Sequence, residues 1–306
     1  MEKNYVQRML KPKNLVRGDL IYVVAPAKSI EVGHVEFCKK FFEDLGFLVE
    51  VGLHTLNTYN YFSGTDEERL TDFQLALDHP KAKAIVCARG GYGAARILDE
   101  LNWDQFKQKP KWVVGFSDIT VFHLRCSVLK IMSLHATMPL NFSSNSKAAL
   151  LTLNAALLGE SFEINAPTTP FNREGISSGK LIGGNLSIIF SLIGTSDTFD
   201  FEGAVLFLED LSEQHYHIDR MLIAFKKAGV FDKINGLIIG GMTDLKDTTP
   251  SFGMTYEEII IEKMEGINIP RCFDFPTGHI DDNRAMIIGA DVELDVNAQG
   301  ATLRYV

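Results

Sequence analysis

Cysteine is scarce in this chain: four in 306 residues, at Cys38, Cys87, Cys126 and Cys272, with no CxxC pair among them. Thiols so dispersed read as buried structural residues in a reducing compartment, and the cytoplasm is the expected location. A basic excess is missing too. Thirty Lys and Arg against 39 Asp and Glu give a formal charge of −9. That balance argues against nucleic acid or an anionic membrane as the main partner, although a single buried arginine can still dominate a local site. The opening MEKNYVQRMLKPKNLVRGD has scattered charges and no apolar h-region, so no secretory signal is expected. The apolar run Leu20–Ala27 is far too short to cross a bilayer.

What remains is an ordinary globular composition, 46% hydrophobic and 23% charged, long enough for two domains. In the first half strand-like and helix-like segments alternate. Leu20–Ala25, Phe47–Val51, Ala84–Ala88 and Trp112–Phe116 read as buried strands, and Ile131–His135 as a fifth. Between them, Phe37, Phe41 and Leu45 recur at helical spacing. Thr65 and Glu68 form a capping-box pattern ahead of Leu70, Phe73 and Leu77, and helices are expected over Ala94–Leu101 and Ile119–Lys130. This alternation predicts a parallel sheet covered on both faces. Ser, Asn, Thr and Pro gather over 141–170 around a helix-like Ala148–Leu158. The second half reads as mixed α/β or β-rich, with strands at Ala204–Glu209, Gly236–Gly240 and Arg271–Phe275 and helices near Ile218–Lys227 and Tyr256–Met264. The expected division is residues 1–145, a linker at 146–175, and 176–306.

The segment WVVGFSDIT runs a strand into Gly115, then Ser117, then a helix opening at Asp118. A serine on such a turn stands at the carboxyl edge of the sheet, beside free helix-start amides. The geometry resembles a nucleophile elbow, although the pattern is not G-x-S-x-G. The alternative is that Ser117 caps the helix. One βα unit earlier, Arg89-Gly90-Gly91-Tyr92-Gly93 follows the third strand. A double glycine lets backbone approach a ligand, so the Gly91 and Asp118 amides are candidate arms of an oxyanion hole. A phosphate loop is the competing reading, but no G-x-x-x-x-G-K-[ST] or complete G-x-G-x-x-G is present. A serine also needs a base and an orienting acid. His279, in a Pro/Gly loop, and Glu209, ending a strand, are candidates, while solvated roles for both remain open.

The motifs Arg89–Gly93, GFSDIT, Lys180–Asn185 (KLIGGN), Leu208-Glu209-Asp210, Ile218–Leu222 and FPTGH occur in one order along nearly the whole chain. In combination they resemble the LD-carboxypeptidase family of serine peptidases, which also holds the microcin C immunity peptidases. The resemblance implies a Ser–Glu–His triad falling on Ser117, Glu209 and His279, and an oxyanion hole falling on Gly91 and Asp118. It implies a flavodoxin-like N-terminal domain, a smaller β-rich C-terminal domain, a cleft between them, a homodimer, and neither metal nor other cofactor. The expected reaction removes the terminal D-alanine of a murein tetrapeptide. A free carboxylate must then be recognised, and Arg89 and, more weakly, Arg284 are the candidates. Three other readings stand beside this one: a peptidase or amidase acting on peptidyl conjugates, a non-catalytic two-domain binding protein, and a metal hydrolase. The last would use His215, His217 and Asp219, which share a face if they lie on a strand, but H-E-x-x-H is absent. His123 and His135, flanking the elbow helix, read as packing or solvated residues rather than alternative bases.

Overall fold

The computed structural model describes residues 9–306; the stretch read for a signal segment thus includes residues 1–8, outside those described. The first half runs β1 (Leu20–Val24), α1 (Val32–Asp44), β2 (Leu48–Val51), α2 (Asp66–Asp78), β3 (Ala82–Cys87) and α3 (Ala94–Ile97). It continues through α4 (Asp104–Gln108), β4 (Trp112–Gly115), α5 (Thr120–Val128), β5 (Ser133–His135) and α6 (Lys147–Leu158). The second half opens with β6 (Glu163–Pro167), β7 (Gly175–Asn185), α7 (Leu186–Leu192), β8 (Val205–Leu211) and α8 (His215–Lys227). It closes with β9 (Gly236–Thr243), α9 (Tyr256–Lys263), β10 (Arg271–Cys272), β11 (Met286–Ile288), β12 (Asp291–Asn297) and β13 (Gly300–Tyr305).

Two sheets organise these elements. The first has the order β2-β1-β3-β4-β5, all parallel, with β11 added antiparallel to β5. That 2-1-3-4-5 order is the flavodoxin-like one. Its inner strands β1 and β4 are apolar and buried at every position, as a sheet covered on both faces requires. Edge strand β2 alternates exposed and half-buried residues. The second sheet has the order β10-β9-β8-β7-β12-β13-β6, parallel from β7 to β10 and antiparallel through β12, β13 and β6. The fold is therefore mixed α/β, a parallel sheet joined to a second strand-rich sheet.

Local chemistry explains several boundaries. The Thr65 capping box is complete, with Oγ1 accepting from Glu68 N at 3.2 Å and Glu68 Oε2 accepting from Thr65 N at 2.8 Å. Helix α6 is opened by the Ser146 side chain and closed by left-handed Gly159. Other elements depart from the sequence pattern. The predicted strand over Arg271–Phe275 stops at Cys272, and Asp274 takes a positive φ of 53°. β7 carries four glycines, a composition poor in strand propensity, yet Gly179 and Gly183 pass so close to the Gly203 and Phe207 carbonyls that no Cβ would fit. His215–Asp219, read as a possible strand, lies on α8. There His215 and His217 are two residues apart, roughly 200° around the helix, so the shared face needed for a metal site is lost. His217 bonds Glu213 instead, and Asp219 pairs with Lys263. The four cysteines are free and buried, and among the described residues no helix is long and apolar enough to cross a membrane.

Helix α5 fixes the turn that precedes it by burying Phe122 against Phe73 of α2, rings stacked with centroids 4.1 Å apart. Phe122→Ala should lower stability by about 3–5 kcal/mol through lost transfer energy and a residual cavity. Equilibrium urea unfolding would measure this, and a loss below about 1 kcal/mol would mean the helix is held by other contacts.

Candidate functional site

Ser117 stands one residue beyond β4, after Phe116, and takes φ +64°, unusual for a residue other than glycine. The residue before the helical turn, Phe116, is extended, and no side chain caps that turn. Ser117 therefore does not act as the N-cap, and its hydroxyl is free for another partner. That partner is His279, whose Nε2 lies 3.1 Å from Ser117 Oγ. The opposite ring nitrogen, Nδ1, lies 2.5 Å from Glu209 Oε2. Three residues from distant parts of the chain thus form one hydrogen-bonded line.

Each is held by its surroundings. Glu209 sits on β8, fully buried, with Oε1 lacking a partner among the described residues. His279 hangs on a loop pinned to the end of β9, where Gly241 N donates to Thr277 O and Thr243 Oγ1 donates to His279 O. Asn283 Oδ1 accepts from Gly278 N at 2.8 Å. Gly278, at φ +95°, rests against Glu209: a Cβ there would stand 2.6 Å from the Glu209 Cβ. Phe116 meets the His279 ring edge-on at 4.8 Å and fixes its plane.

The surroundings of His279 act on its proton in opposite directions. Burial pulls the His279 imidazole toward its neutral form, but the Glu209 charge, its hydrogen bond and Asp210 together outweigh that and raise its pKa. Asp210 is itself pushed up to about 7 by burial and by adjacent Glu209, an effect opposed by donors from Leu211 N, Asn185 Nδ2 and Ser187 N. His123 and His135 lie buried beneath the Ser117 turn. His123 bonds Ser133 Oγ and Gly115 O, and burial lowers its pKa to about 4. Burial also holds His135 well below the usual imidazole value, helped by His123 and His279, and neither of its nitrogens has a described partner. Both are neutral packing residues.

The glycine-rich loop after β3 comes to the serine because β3 and β4 are paired neighbours. Gly90 lies closest: a Cβ built on it would stand 2.9 Å from Ser117 Cβ, 3.2 Å from Oγ and 3.3 Å from Asp118 N. The Gly91 amide follows, at φ +105°. No described acceptor takes the Gly91 or Asp118 amide proton. Such amides beside a hydroxyl can stabilise a developing oxyanion. Arg89 extends away to donate to Ser29 O at 3.0 Å, and Arg284 is paired with Asp282 at 2.9 Å.

Some of the machinery has no obvious signal in the sequence. The Asp118 carboxylate, 1% exposed, accepts from Ala94 N at 2.8 Å and so ties the glycine loop to the serine turn. Buried Arg69 supports the same loop by donating to Gly93 O and Pro26 O. Asn185 N donates to Thr120 Oγ1, joining β7 to α5, while its side chain binds Asp210.

With this geometry in view, residues 21–136 match the LD-carboxypeptidase N-terminal domain and residues 178–294 the LD-carboxypeptidase C-terminal domain. A Synechocystis protein bearing a carboxypeptidase name is 33% identical, covering 97% of both chains. The murein tetrapeptide carboxypeptidase of Pseudomonas aeruginosa is 28% identical over 90% of this chain and 93% of its own. Among solved structures, the muramoyltetrapeptide carboxypeptidase from Oxalobacter formigenes aligns with a TM-score of 0.85 at 24% identity, over 94% of this chain and 98% of its own. The microcin C7 self-immunity protein MccF aligns at 0.84 and 20% identity, over 97% and 98%; both alignments speak to the fold.

Asp118→Ala should cost about 1–3 kcal/mol, the usual loss when a buried backbone donor is left without its acceptor. Hydrogen exchange should quicken at the Gly93 and Ala94 amides while β1 stays protected, and unchanged exchange there would remove the carboxylate's tethering role.

Proposed function

The chain belongs to the LD-carboxypeptidase family, and from that premise we propose that it is a serine peptidase removing the terminal D-alanine from murein tetrapeptides. The single observation that carries this reading is the hydrogen-bonded line from Ser117 through His279 to buried Glu209. The murein tetrapeptide name of the P. aeruginosa relative supports the substrate.

In the proposed reaction His279 Nε2 takes the Ser117 proton as Oγ attacks the carbonyl carbon ahead of the D-residue. Glu209 holds the proton on Nδ1 and stabilises the imidazolium. The Gly91 and Asp118 amides receive the tetrahedral oxyanion. Its collapse breaks the C–N bond, His279 returns the proton to the departing amine, and the acyl group stays on Ser117. Water, deprotonated by the same imidazole, then hydrolyses the ester and restores the hydroxyl. Residues 1–145 would supply the nucleophile and 176–306 the acid and base, joined by 146–175. We extend the proposal to a cytoplasmic homodimer, whose assembly light scattering would test.

Purified protein given a murein tetrapeptide should release D-alanine equally with and without EDTA. Ser117→Ala should reduce turnover on the order of 10⁴–10⁶-fold. Release that survives in Ser117→Ala would remove the nucleophile assignment. Absence of release by the wild type would redirect the search to peptidyl conjugates.

The pH profile tests the base. His279 accepts a proton only when neutral, and its pKa is raised. The acidic limb of kcat/KM should therefore lie above the ordinary imidazole value of about 6.5. In Glu209→Gln the raising charge is gone while burial remains, so the limb should move to lower pH as turnover falls. A limb that stays in place would mean another group titrates.

A further inference from the structure

A carboxypeptidase substrate carries its own anchor, a free carboxylate one residue beyond the scissile bond. Neither arginine read from the sequence is well placed to be its sole receptor, since Arg284 is neutralised by Asp282 and Arg89 is engaged with Ser29 O. Arg69 and Arg96 both rest on Asp66. Lys28 and Arg89 both lack a carboxylate at salt-bridge distance among the described residues, but Arg89 spends a donor on Ser29 O whereas the Lys28 ammonium has no described acceptor and lies 4.8 Å from the centroid of the Tyr61 ring. A cation on an aromatic face keeps its charge and its donors, so it remains able to bind an anion.

Its position is set by the topology. The strand order reverses between β1 and β3, and the crevice outside the carboxyl ends at such a switch point is where open α/β sheets take their ligands. Lys28 is on the loop leaving β1, Gly91 on the loop leaving β3, and Ser117 on the loop leaving β4. Lys28 N donates to Gly90 O at 3.3 Å, and Gly90 is the residue that lies against Ser117. The lysine stem packs on the next glycine: a Cβ on Gly91 would stand 2.8 Å from Lys28 Cβ and 2.9 Å from the Tyr61 hydroxyl. A single strand of loop thus separates Lys28 from the nucleophile.

The reach matches. Neighbouring strands are about 4.8 Å apart, so the ends of β4 and β1 are separated by roughly 10 Å. The scissile carbon and the carboxylate carbon of the leaving residue are joined by three bonds, a path of about 4 Å. The flexible lysine stem of five bonds from Cα covers the remaining distance of roughly 6 Å. We propose that the Lys28 ammonium binds the terminal carboxylate of the leaving residue and so confines cleavage to the last residue of the peptide. Arg89, through Ser29 O, holds the Lys28–Ser29 segment in place. The inference rests on the carboxypeptidase reading above.

The test compares a murein tetrapeptide ending in free D-alanine with the same peptide ending in D-alaninamide, on wild type, Lys28→Met and Lys28→Arg. A hydrogen bond to a charged group is worth enough that Lys28→Met should lose about 10–100-fold in kcat/KM on the acid, mainly through KM. The amide should be cleaved as by the wild type, and Lys28→Arg should keep most of the preference. An acid-to-amide ratio in Lys28→Met equal to that of wild type, or an equal fall on both peptides, overturns the assignment. Failure of the wild type to cleave either peptide overturns the carboxypeptidase reading itself, and the Lys28 role falls with it.

Discussion

The hydrogen bond between Glu209 and His279 is the contact on which the rest of the site depends. A carboxylate with no exposed surface is costly to keep ionised, and Oε1 finds no described partner to help. The imidazole bonded to Oε2 is its compensation, and the exchange is mutual, because the same carboxylate offsets the burial that would keep His279 neutral. The pair belongs wholly to the second sheet and its loops, whereas Ser117 belongs to the first. The reactive line therefore exists only while the two sheets keep their relative position.

That position is secured by contacts across the boundary. β11, late in the chain, leaves the second half and completes the first sheet beside β5. Arg125 of α5 reaches Asp197 beyond α7, a partly buried ion pair that ties the helix behind Ser117 to the second half. Asn185 does the same work at the end of β7, with its amide on Thr120 and its side chain on Asp210, the neighbour of Glu209. A path of hydrogen bonds thus runs from the acid's own strand to the first turn of the nucleophile's helix. It explains why a buried aspartate is placed next to an already buried glutamate despite the mutual repulsion that raises its pKa.

How much of this was legible depended on whether the signal was local. The parallel strands announced themselves because strands buried on both faces are continuous apolar runs, as in LIYVV and WVVG. Ser117 was legible as a candidate because the strand-to-helix turn is written in consecutive residues, but its rival reading as a cap fell only to the backbone geometry. Glu209 and His279 were weaker still from pattern alone, since a strand end and a Pro/Gly loop are common, and it was the ordered set of motifs that singled them out. β7 is not legible because Gly179 and Gly183 answer to the carbonyls of Gly203, in the turn before β8, and Phe207 of β8, a tertiary demand that overrides propensity. His215, His217 and Asp219 could share a face only on a strand, a minor alternative that falls because the helix expected near Ile218–Lys227, with Ile218, Met221, Leu222 and Phe225 on its buried face, begins already at His215. The Asp118 carboxylate and Lys28 were invisible because their partners lie 24 and about 62 residues away in the chain.

The same distinction between local and global governs the charge. The chain is acidic overall, yet its proposed ligand is an anion, and long-range attraction cannot bring the two together. Recognition must come from short-range groups in a crevice where competing carboxylates are absent or already committed. The described arrangement satisfies that condition on the side of the glycine loop: Asp66 is occupied by Arg69 and Arg96, and the Asp118 carboxylate faces the Ala94 amide. These two acids are thereby committed to partners that build the loop, which leaves the Gly91 and Asp118 amides and the Lys28 ammonium without a described acceptor. An acidic protein can in this way present a locally electropositive site, because charges bound into hydrogen bonds project little field at the few ångströms that decide binding.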